Sequence, residues 1–173
     1  MTSELRIGIA GLGTVGASVV RLIERQSNAL TRSTGRTIRL VSVSARDKSR
    51  DRGVSLAGLE WFDDPVEMAR SSKIDVLVEL MGGDEGHARL AVETALHSGK
   101  SVVTANKALL AKHGATLAAM AEKNSVALNY EAAVAGGIPI IKTLREAMAG
   151  NSVSRISGIL NGTCNYMLSR MEL

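Results

Sequence analysis

Three glycines near the amino terminus have the spacing of a phosphate-binding loop. Gly11, Gly13 and Gly16 form a GxGxxG run between the apolar stretch LRIGIA and a helical repeat of apolar residues. In such a loop the first glycine permits a tight turn, the second lets a pyrophosphate approach the backbone, and the third lets the helix pack closely on the strand. Free N–H groups at the helix start then bind the phosphates. The context favours dinucleotide binding over an ordinary glycine-rich turn.

Charged residues after the second predicted strand bear on the choice of dinucleotide. At this position an acidic side chain accepts hydrogen bonds from the ribose hydroxyls of NAD, whereas a basic side chain pairs with the 2′-phosphate of NADP. The strand TIRLVSVSA leads into Arg46, Asp47, Lys48 and Arg50. Arg46 comes first and favours NADP, while Asp47 leaves NAD use open. For Lys48 and Arg50 the alternative is a solvated charged loop.

Two further segments bring chemically useful residues to predicted strand ends. VELMGG ends a buried strand with Glu79, Gly82 and Gly83, and paired glycines there would let the nicotinamide half of a cofactor lie against the backbone. A turn that needs positive φ is a compatible alternative. VTANK brings Lys107 to the start of a helix, where the helix dipole disfavours its charge by about 0.3–1 kcal/mol. Lys107 is either a donor to a substrate oxygen or the cofactor ribose, or a surface lysine whose ammonium reaches water.

A carboxylate beside an Ala/Gly-rich bend raises the question of a cation site. Glu131 ends the fifth predicted strand and is followed by AAVAGGIP. A carboxylate next to exposed backbone carbonyls can hold a hard cation, which prefers oxygen ligands. From composition alone, a capping carboxylate is the stronger interpretation of this residue.

An alternating α/β fold would bring these residues to one edge of a sheet. Strand-like runs and helical repeats follow one another in the order β-α-β-α-β-α-β-α-β. This order predicts a Rossmann-type, doubly wound parallel sheet with helices on both faces. Ligands of such sheets bind beyond the carboxyl ends of the strands, where the residues named above are expected to lie. Asp64 and Pro65 are expected to begin one helix and Gly99 to end another. SVALNYEAAVA is expected to be the fifth strand, and VSRISGILNG a further apolar strand.

The composition and charge of the chain argue against several classes of protein. The chain has 173 residues, 45% of them hydrophobic, with one Trp, two Tyr and one Phe, so stacking surfaces for single-stranded nucleic acid are scarce. The net charge of +4 is mild and both signs are interspersed. A lone cysteine cannot form an intrachain disulfide, the first ten residues lack a secretory pattern, and no apolar run approaches the roughly 20 residues that span a bilayer. We expect a cytoplasmic protein without nucleic-acid or membrane partners.

Five motifs in order resemble one family, homoserine dehydrogenase, which interconverts L-homoserine and L-aspartate 4-semialdehyde with NAD(P). They are GLGTVG, VELMGG, VTANKALLA, NYEAAVAGGIPII and GILNGTCNYML, and they span essentially the whole chain. The resemblance implies an oxidoreductase of threonine, methionine and isoleucine biosynthesis, homodimeric when full length, with NADP or NAD and a sodium ion as cofactors. It also implies that residues 1–150 form the NAD(P)-binding domain and that residues 151–173 begin an α+β substrate and dimerisation domain.

The resemblance further implies roles for particular residues. Lys107 is similar to the family's first active-site lysine, near cofactor and substrate, and Arg46 would face the adenosine ribose or its 2′-phosphate. The other implied cofactor contacts are Gly11, Gly13, Thr14, Val15 and Gly16 at the pyrophosphate, and Gly162 and Thr163 in a loop beside the nicotinamide. The implied sodium ligands are Glu131 and the backbone carbonyls of Val134, Gly136 and Ile138.

One departure from the family pattern limits what the chain is expected to do. Homoserine dehydrogenases continue with acidic substrate-binding residues and a second lysine, the favoured acid/base group, and this sequence contains neither. We therefore expect the 173 residues to be the amino-terminal part of the enzyme and to bind cofactor with little turnover.

Two alternative functions stay open. One is a free-standing NAD(P)-binding sensor or interaction module. The other is an aldehyde dehydrogenase that acts through a thioester at Cys164. A nucleophilic cysteine usually needs a nearby base, and no histidine lies close to Cys164 in the sequence. We therefore expect Cys164 to be a small packing residue.

Overall fold

A computed structural model describes residues 3–158 and 161–172, and its main feature is a single parallel sheet. The strands are β1 (Glu4–Ala10), β2 (Thr37–Ser44), β3 (Glu60–Phe62), β4 (Val76–Glu79), β5 (Ser101–Thr104) and β6 (Leu128–Asn129). Neighbouring strands are parallel throughout, in the order β3-β2-β1-β4-β5-β6. In this order the direction of winding reverses between β1 and β4, and ligands bind at that point in doubly wound sheets. The predicted Rossmann-type fold is confirmed.

Helices cover both faces of the sheet. These helices are α1 (Thr14–Thr34), α2 (Pro65–Arg70), α3 (His87–His97) and α4 (Lys107–Lys123). Successive side chains of a strand point to opposite faces, so Ile9 and Ala10 of β1 belong to different hydrophobic clusters. Ile9 packs with Val20 of α1, whereas Ala10 shares its cluster with Leu96 of α3 and Leu117 of α4. The core therefore consists of two apolar layers, one on each side of the sheet.

Local sequence signals set several element boundaries, and those at the start of α2 and the end of α3 were predicted. The carboxylate of Asp64 caps α2 by accepting a hydrogen bond from Val66 N at 2.9 Å, and Pro65 is the first helical residue. Gly35 ends α1 in the left-handed conformation at φ 69°. Gly99 follows α3 with φ 70°, a conformation that glycine adopts without steric cost.

Two strand predictions need correction. The short strand β3 was not predicted, although adjacent aromatic residues Trp61 and Phe62 favour strands and precede the turn-forming DDP. SVALNYEAAVA was expected to be a strand, but only Leu128–Asn129 pairs with β5. Glu131–Val134 instead forms the helical turn α5, so Glu131 begins a helix and does not end a strand. Because β6 lies at the sheet edge and pairs on one side only, little holds the chain extended there.

The chain forms two compact units, one ending at Ile141 and the other beginning at Lys142. The first contains the whole sheet. Ile140 and Ile141 of the short helix α6 (Ile140–Lys142) belong to the first unit, whereas Lys142 and the π-helical segment Thr143–Ala147 belong to the second. The second unit contains α7 (Gly162–Met171), which Asn161 caps through its Oδ1 and Cys164 N at 2.9 Å. The predicted boundary after residue 150 stays a prediction.

The second unit differs from the sequence expectation in three details. VSRISGILNG was expected to be an apolar strand, but residues 152–158 have no regular secondary structure, and Ile159 and Leu160 lie outside the described residues. Gly162 and Thr163 form the first turn of α7 and not a loop, because the Asn161 side chain supplies the helix cap. Cys164 is exposed, so the packing role expected for it was wrong.

Within the described part of the chain, every helix is too short or too polar to cross a lipid bilayer.

Candidate cofactor-binding site

A cavity of about 360 Å³ lies at the carboxyl ends of β4 and β5. Its lining residues come from the start of α1, the segment after β4 and the start of α4: Val15, Leu80, Met81, Gly82, Gly83, Ala105, Asn106, Lys107 and Ala108. The wall is mainly apolar, with Asn106 and Lys107 as its polar members. Three residues predicted for cofactor binding, Val15, Gly82 and Lys107, are therefore brought together although they are far apart in sequence.

In the glycine-rich loop beside this cavity, the fold itself requires glycine at two of the three positions and leaves open space at the third. Gly11 has φ 100°, and its N–H donates to Ser44 O at 2.8 Å. A Cβ on Gly16 would lie 1.9 Å from Gly11 O, so α1 packs too closely on the loop for any side chain at that position. A Cβ on Gly13 would meet nothing within 4 Å. The open space at Gly13 is where the fold class brings a pyrophosphate against the backbone.

The amino terminus of α1 suits an anion. Its N-cap is Gly13, no side chain caps it, and no acidic residue lies in its first turn, where Thr14 and Val15 stand exposed. By contrast, α2 and α4 are capped by Asp64 and Asn106. Unbonded N–H groups and the helix dipole favour negative charge at such an end. The residues present therefore fit a dinucleotide phosphate.

A buried carboxylate lies beneath the cavity. Glu79 is the last residue of β4 and is fully buried. Its Oε1 accepts hydrogen bonds from Met81 N at 2.7 Å and Gly82 N at 3.2 Å. Its Oε2 accepts a hydrogen bond from the Thr104 hydroxyl at 2.6 Å. These bonds join the end of β4 to the cavity wall and to the end of β5.

Asn106 continues this network to the start of α4. Its backbone N–H donates to Thr104 Oγ1 at 3.0 Å, and its Nδ2 donates to Gly83 O at 2.6 Å. Its Oδ1 caps α4 by accepting from Leu109 N at 3.1 Å. Lys107 is the first helical residue and is exposed at the cavity, as expected from its position in the sequence. Thr104 and Asn106 were missed as site residues, although both belong to the VTANK motif.

Arg46 lies exposed just after β2, in a loop that is fastened to the glycine-rich loop. The fastening residue is Arg52, whose Nε donates to Leu12 O at 3.2 Å and whose other nitrogens donate to the carbonyls of Asp47 and Arg50. Its guanidinium also lies 5.6 Å from the centre of the Trp61 ring, which is cation–π geometry. Sequence reasoning missed Arg52, whose partner Leu12 is 40 residues away.

Asp47 has a local role. Its Oδ1 accepts hydrogen bonds from the Ser49 hydroxyl at 2.6 Å and from Ser49 N at 2.9 Å, and these bonds lower the pKa of its carboxyl. The carboxylate is thus engaged by its own loop, whereas Arg46 is exposed.

Charged side chains hold the segment that follows the paired glycines against α4. Lys112 Nζ lies 3.2 Å from Asp84 Oδ2 and 2.8 Å from Glu85 Oε1, and His113 Nε2 lies 3.0 Å from Glu85 Oε1. Hydrogen bonds from Lys112, Arg89 and His113 lower the pKa of Glu85 to about 2. This carboxylate therefore stays ionised at neutral pH, and the link between the two segments persists there.

The predicted sodium ligands lie in and beside the bend after α5. Val134 ends α5, and Gly136 and Ile138 lie in the bend before α6. Glu131 Oε1 accepts a hydrogen bond from Ile141 N at 2.9 Å, the kind of bond that a capping carboxylate makes. The Ile138 carbonyl accepts from Ile140 N at 2.8 Å. No group of three or more His, Cys, Asp or Glu side chains within residues 3–158 and 161–172 could hold a metal ion. A cation here would therefore depend on backbone oxygens.

Gly162 and Thr163 begin α7 in the second unit and are exposed. Their predicted place beside the nicotinamide stays a prediction.

Comparison with known families decides what kind of protein this fold and site belong to. The model of the homoserine dehydrogenase NAD-binding domain matches residues 11–131, and a second homoserine dehydrogenase model matches residues 139–173. The chain belongs to the homoserine dehydrogenase family. Residues 11–131 are thus its NAD-binding domain, and the resemblance read from the five motifs is confirmed. The sensor alternative is not favoured by these matches.

Individual homoserine dehydrogenases agree with this family assignment. The chain is 42% identical over 168 residues to the enzyme of Neisseria gonorrhoeae and 46% identical over 171 residues to that of Mycobacterium tuberculosis. These alignments cover 97% and 98% of this chain but only 38% of either relative. The chain thus spans little more than a third of the length of these relatives.

Solved structures agree in fold. A homoserine dehydrogenase from Thiobacillus denitrificans superposes with a TM-score of 0.86 at 42% identity, covering 98% of this chain and 39% of that one. A hyperthermophilic archaeal homoserine dehydrogenase in complex with NADPH superposes with a TM-score of 0.78 at 27% identity, covering 97% and 56%.

Proposed function

We propose that the chain supplies the NAD(P)-binding part of a homoserine dehydrogenase that interconverts L-homoserine and L-aspartate 4-semialdehyde. The observation that carries this proposal is the cavity at the ends of β4 and β5, whose wall joins the start of α1, the Gly82–Gly83 pair and Lys107. When bound, the nicotinamide supplies or accepts the hydride. The protein's own part is to bind and orient the cofactor and to place a donor near the substrate oxygen.

Each segment of the wall has a proposed task. The exposed N–H groups at the start of α1, beside Gly13, bind the pyrophosphate. Gly82 lets the nicotinamide half lie against the backbone. Lys107, exposed at the cavity, donates a hydrogen bond to the substrate oxygen or to the cofactor ribose.

NADP is the proposed cofactor, with NAD use possible. Arg46 is exposed after β2, while the carboxylate of Asp47 is engaged by Ser49. A basic group at this position pairs with a 2′-phosphate. The archaeal relative in complex with NADPH supports the same choice.

Replacing Arg46 tests the cofactor choice. Arg46→Ala is expected to weaken NADPH binding by roughly 10- to 100-fold, because a charge-assisted hydrogen bond is lost. NADH affinity should change far less. Lys48→Ala is the matched control from the same loop, measured with both cofactors by titration calorimetry. Equal losses for NADPH and NADH in Arg46→Ala would contradict a role at the 2′-phosphate.

Three further expectations from the family remain proposals. A sodium ion would be held by Glu131 and the carbonyls of Val134, Gly136 and Ile138, a set of oxygen ligands that suits a hard cation. The full-length enzyme would be a homodimer in the cytoplasm.

The proposed function is tested by comparing binding with turnover. The chain is expected to bind NADPH in a calorimetric or fluorescence titration. It should catalyse homoserine-dependent NADPH formation at a small fraction of the rate of the full-length enzyme from Neisseria gonorrhoeae, the positive control. Failure to bind NADPH would overturn the cofactor role, and turnover near the full-length rate would overturn the expectation of low activity.

A further inference from the structure

We propose that Glu79 is a positioning residue that holds the nicotinamide side of the cofactor site in its binding geometry, working through Thr104 and Asn106. The proposal rests on the proposed function, because it assumes that the cavity above Glu79 receives the cofactor. Glu79 does not line the cavity itself, yet on this proposal it determines the shape of the cavity wall.

A carboxylate at this position is not explained by stability alone. Glu79 is fully buried at the carboxyl end of β4, an inner strand of the sheet. Removing a carboxylate from water there is costly unless hydrogen bonds replace the lost solvent. Well-packed apolar residues commonly serve as well or better in such places. The neighbouring residues Leu77 and Val78 of the same strand are indeed apolar and buried. A buried polar group that must be matched by several donors suggests a task other than filling the core.

The first oxygen of Glu79 shapes the segment after β4. Oε1 accepts from the N–H groups of Met81 and Gly82, which bends the backbone directly after the strand. Gly82 and Gly83 then adopt φ values of 81° and 87°, which residues with side chains rarely adopt. Both glycines line the cavity. One buried oxygen atom thus holds this wall at Met81 and Gly82.

The second oxygen reaches the opposite wall. Oε2 accepts from the Thr104 hydroxyl, and Thr104 Oγ1 in turn accepts from Asn106 N. The Nδ2 of Asn106 donates to Gly83 O in the first wall, and its Oδ1 caps α4 by accepting from Leu109 N. A closed ring of hydrogen bonds therefore links both sides of the cavity. Polar networks of this kind are rigid when every member is bonded.

The ring lies on one side of the proposed cofactor only. Its members belong to the ends of β4 and β5, whereas Arg46 follows β2 on the other side of β1. In this fold class the adenosine half binds toward β2, so the nicotinamide half faces β4 and β5. Loosening the ring should therefore weaken contacts to the nicotinamide half and spare those to the adenosine half.

The experiment compares two ligands on variants of Thr104. Thr104→Val keeps the shape of the side chain and removes the hydroxyl, whereas Thr104→Ser keeps the hydroxyl. Affinities for NADPH and for adenosine 2′,5′-bisphosphate, which represents the adenosine half, are measured by calorimetry. Thr104→Val is expected to weaken the affinity for NADPH by roughly tenfold, the effect of about one hydrogen bond to a charged group. Its affinity for the bisphosphate is expected to change by less than about twofold. Thr104→Ser is expected to retain most of the NADPH affinity.

Two further variants separate positioning from general loss of stability. Glu79→Gln has nearly the same shape but offers an acceptor to only one of the two walls, and it should repeat the selective loss of NADPH affinity. Leu96→Ala removes a fully buried side chain at the end of α3 that leads into β5, away from the strand ends that form the cavity. It should lower stability and leave the ratio of the two affinities unchanged.

The outcomes separate the two proposals. If the wild-type chain does not bind NADPH, both the proposed function and this inference are wrong. If the wild-type chain binds NADPH but Thr104→Val and Glu79→Gln keep their affinity, or lose affinity equally for both ligands, only the positioning role of Glu79 is wrong. If Thr104→Val does not fold, the ligand comparison on Glu79→Gln decides the matter.

Discussion

Gly16→Ala is expected to lower the free energy of unfolding by about 3 kcal/mol, at the upper end of the usual cost of overpacking. The added Cβ would lie 1.9 Å from Gly11 O and 2.9 Å from Gly11 C. Both atoms are backbone, so no side chain can rotate away and α1 must move off β1. That movement would also disturb the packing of Val20 on Ile9 in the layer beneath. Urea unfolding followed by circular dichroism measures the effect.

Gly13→Ala is the matched control, three residues earlier in the same loop. A Cβ there would meet nothing within 4 Å, so its cost should stay below about 1 kcal/mol, as for an N-cap replaced by alanine. Equal stability losses in the two variants would contradict the close contact between α1 and the glycine-rich loop. A Gly16→Ala variant as stable as the wild-type chain would contradict this close contact directly.

Gly13→Val is expected to abolish NADPH binding while the chain remains folded. The space that the valine side chain would fill is open in this structure and lies at the uncapped start of α1. A phosphate that no longer reaches the backbone loses two or more charge-assisted hydrogen bonds, which corresponds to roughly a 100-fold or larger loss of affinity. Calorimetry with NADPH measures this loss, and circular dichroism shows whether the fold is retained.

A valine elsewhere serves as the control for Gly13→Val. Gly114 lies in the middle of α4, where a Cβ would have only ordinary contacts of 3.8 Å or more with Leu110. Gly114→Val should bind NADPH as the wild-type chain does. If Gly13→Val binds NADPH normally, the glycine-rich loop is not the phosphate site and the proposed orientation of the cofactor is wrong.

The features predictable from sequence are those whose causes lie within a few residues. A strand followed by GxGxxG and an amphipathic helix identified the start of the fold. Asp64 with Pro65, and Gly99, marked the boundaries of α2 and α3, because capping and left-handed turns depend on adjacent side chains. The position of Lys107 at the start of α4 was predictable for the same reason.

The wrong predictions concern segments whose secondary structure depends on residues that are distant in sequence but close in space. Glu60–Phe62 becomes a strand because β2 offers it an edge, and the strand predicted before Glu131 stops after two residues at the edge of the sheet. Asn161 caps α7 and draws Gly162 and Thr163 into a helix, although the segment resembles a loop. Propensity alone is a weak guide in such places, since packing and pairing override it.

The alternating fold, the phosphate-type loop and the family of the chain can all be inferred from local patterns in the sequence. Which side chains contact one another depends on how the strands pack in three dimensions. Glu79 and Thr104 are 25 residues apart, and they bond because the parallel register sets one opposite the other at the ends of β4 and β5. Arg52 and Leu12, 40 residues apart, meet because the strands that precede their loops, β2 and β1, are neighbours in the sheet. Parallel strands are joined by long crossovers, so their register follows from the packing of the whole sheet and not from any local pattern.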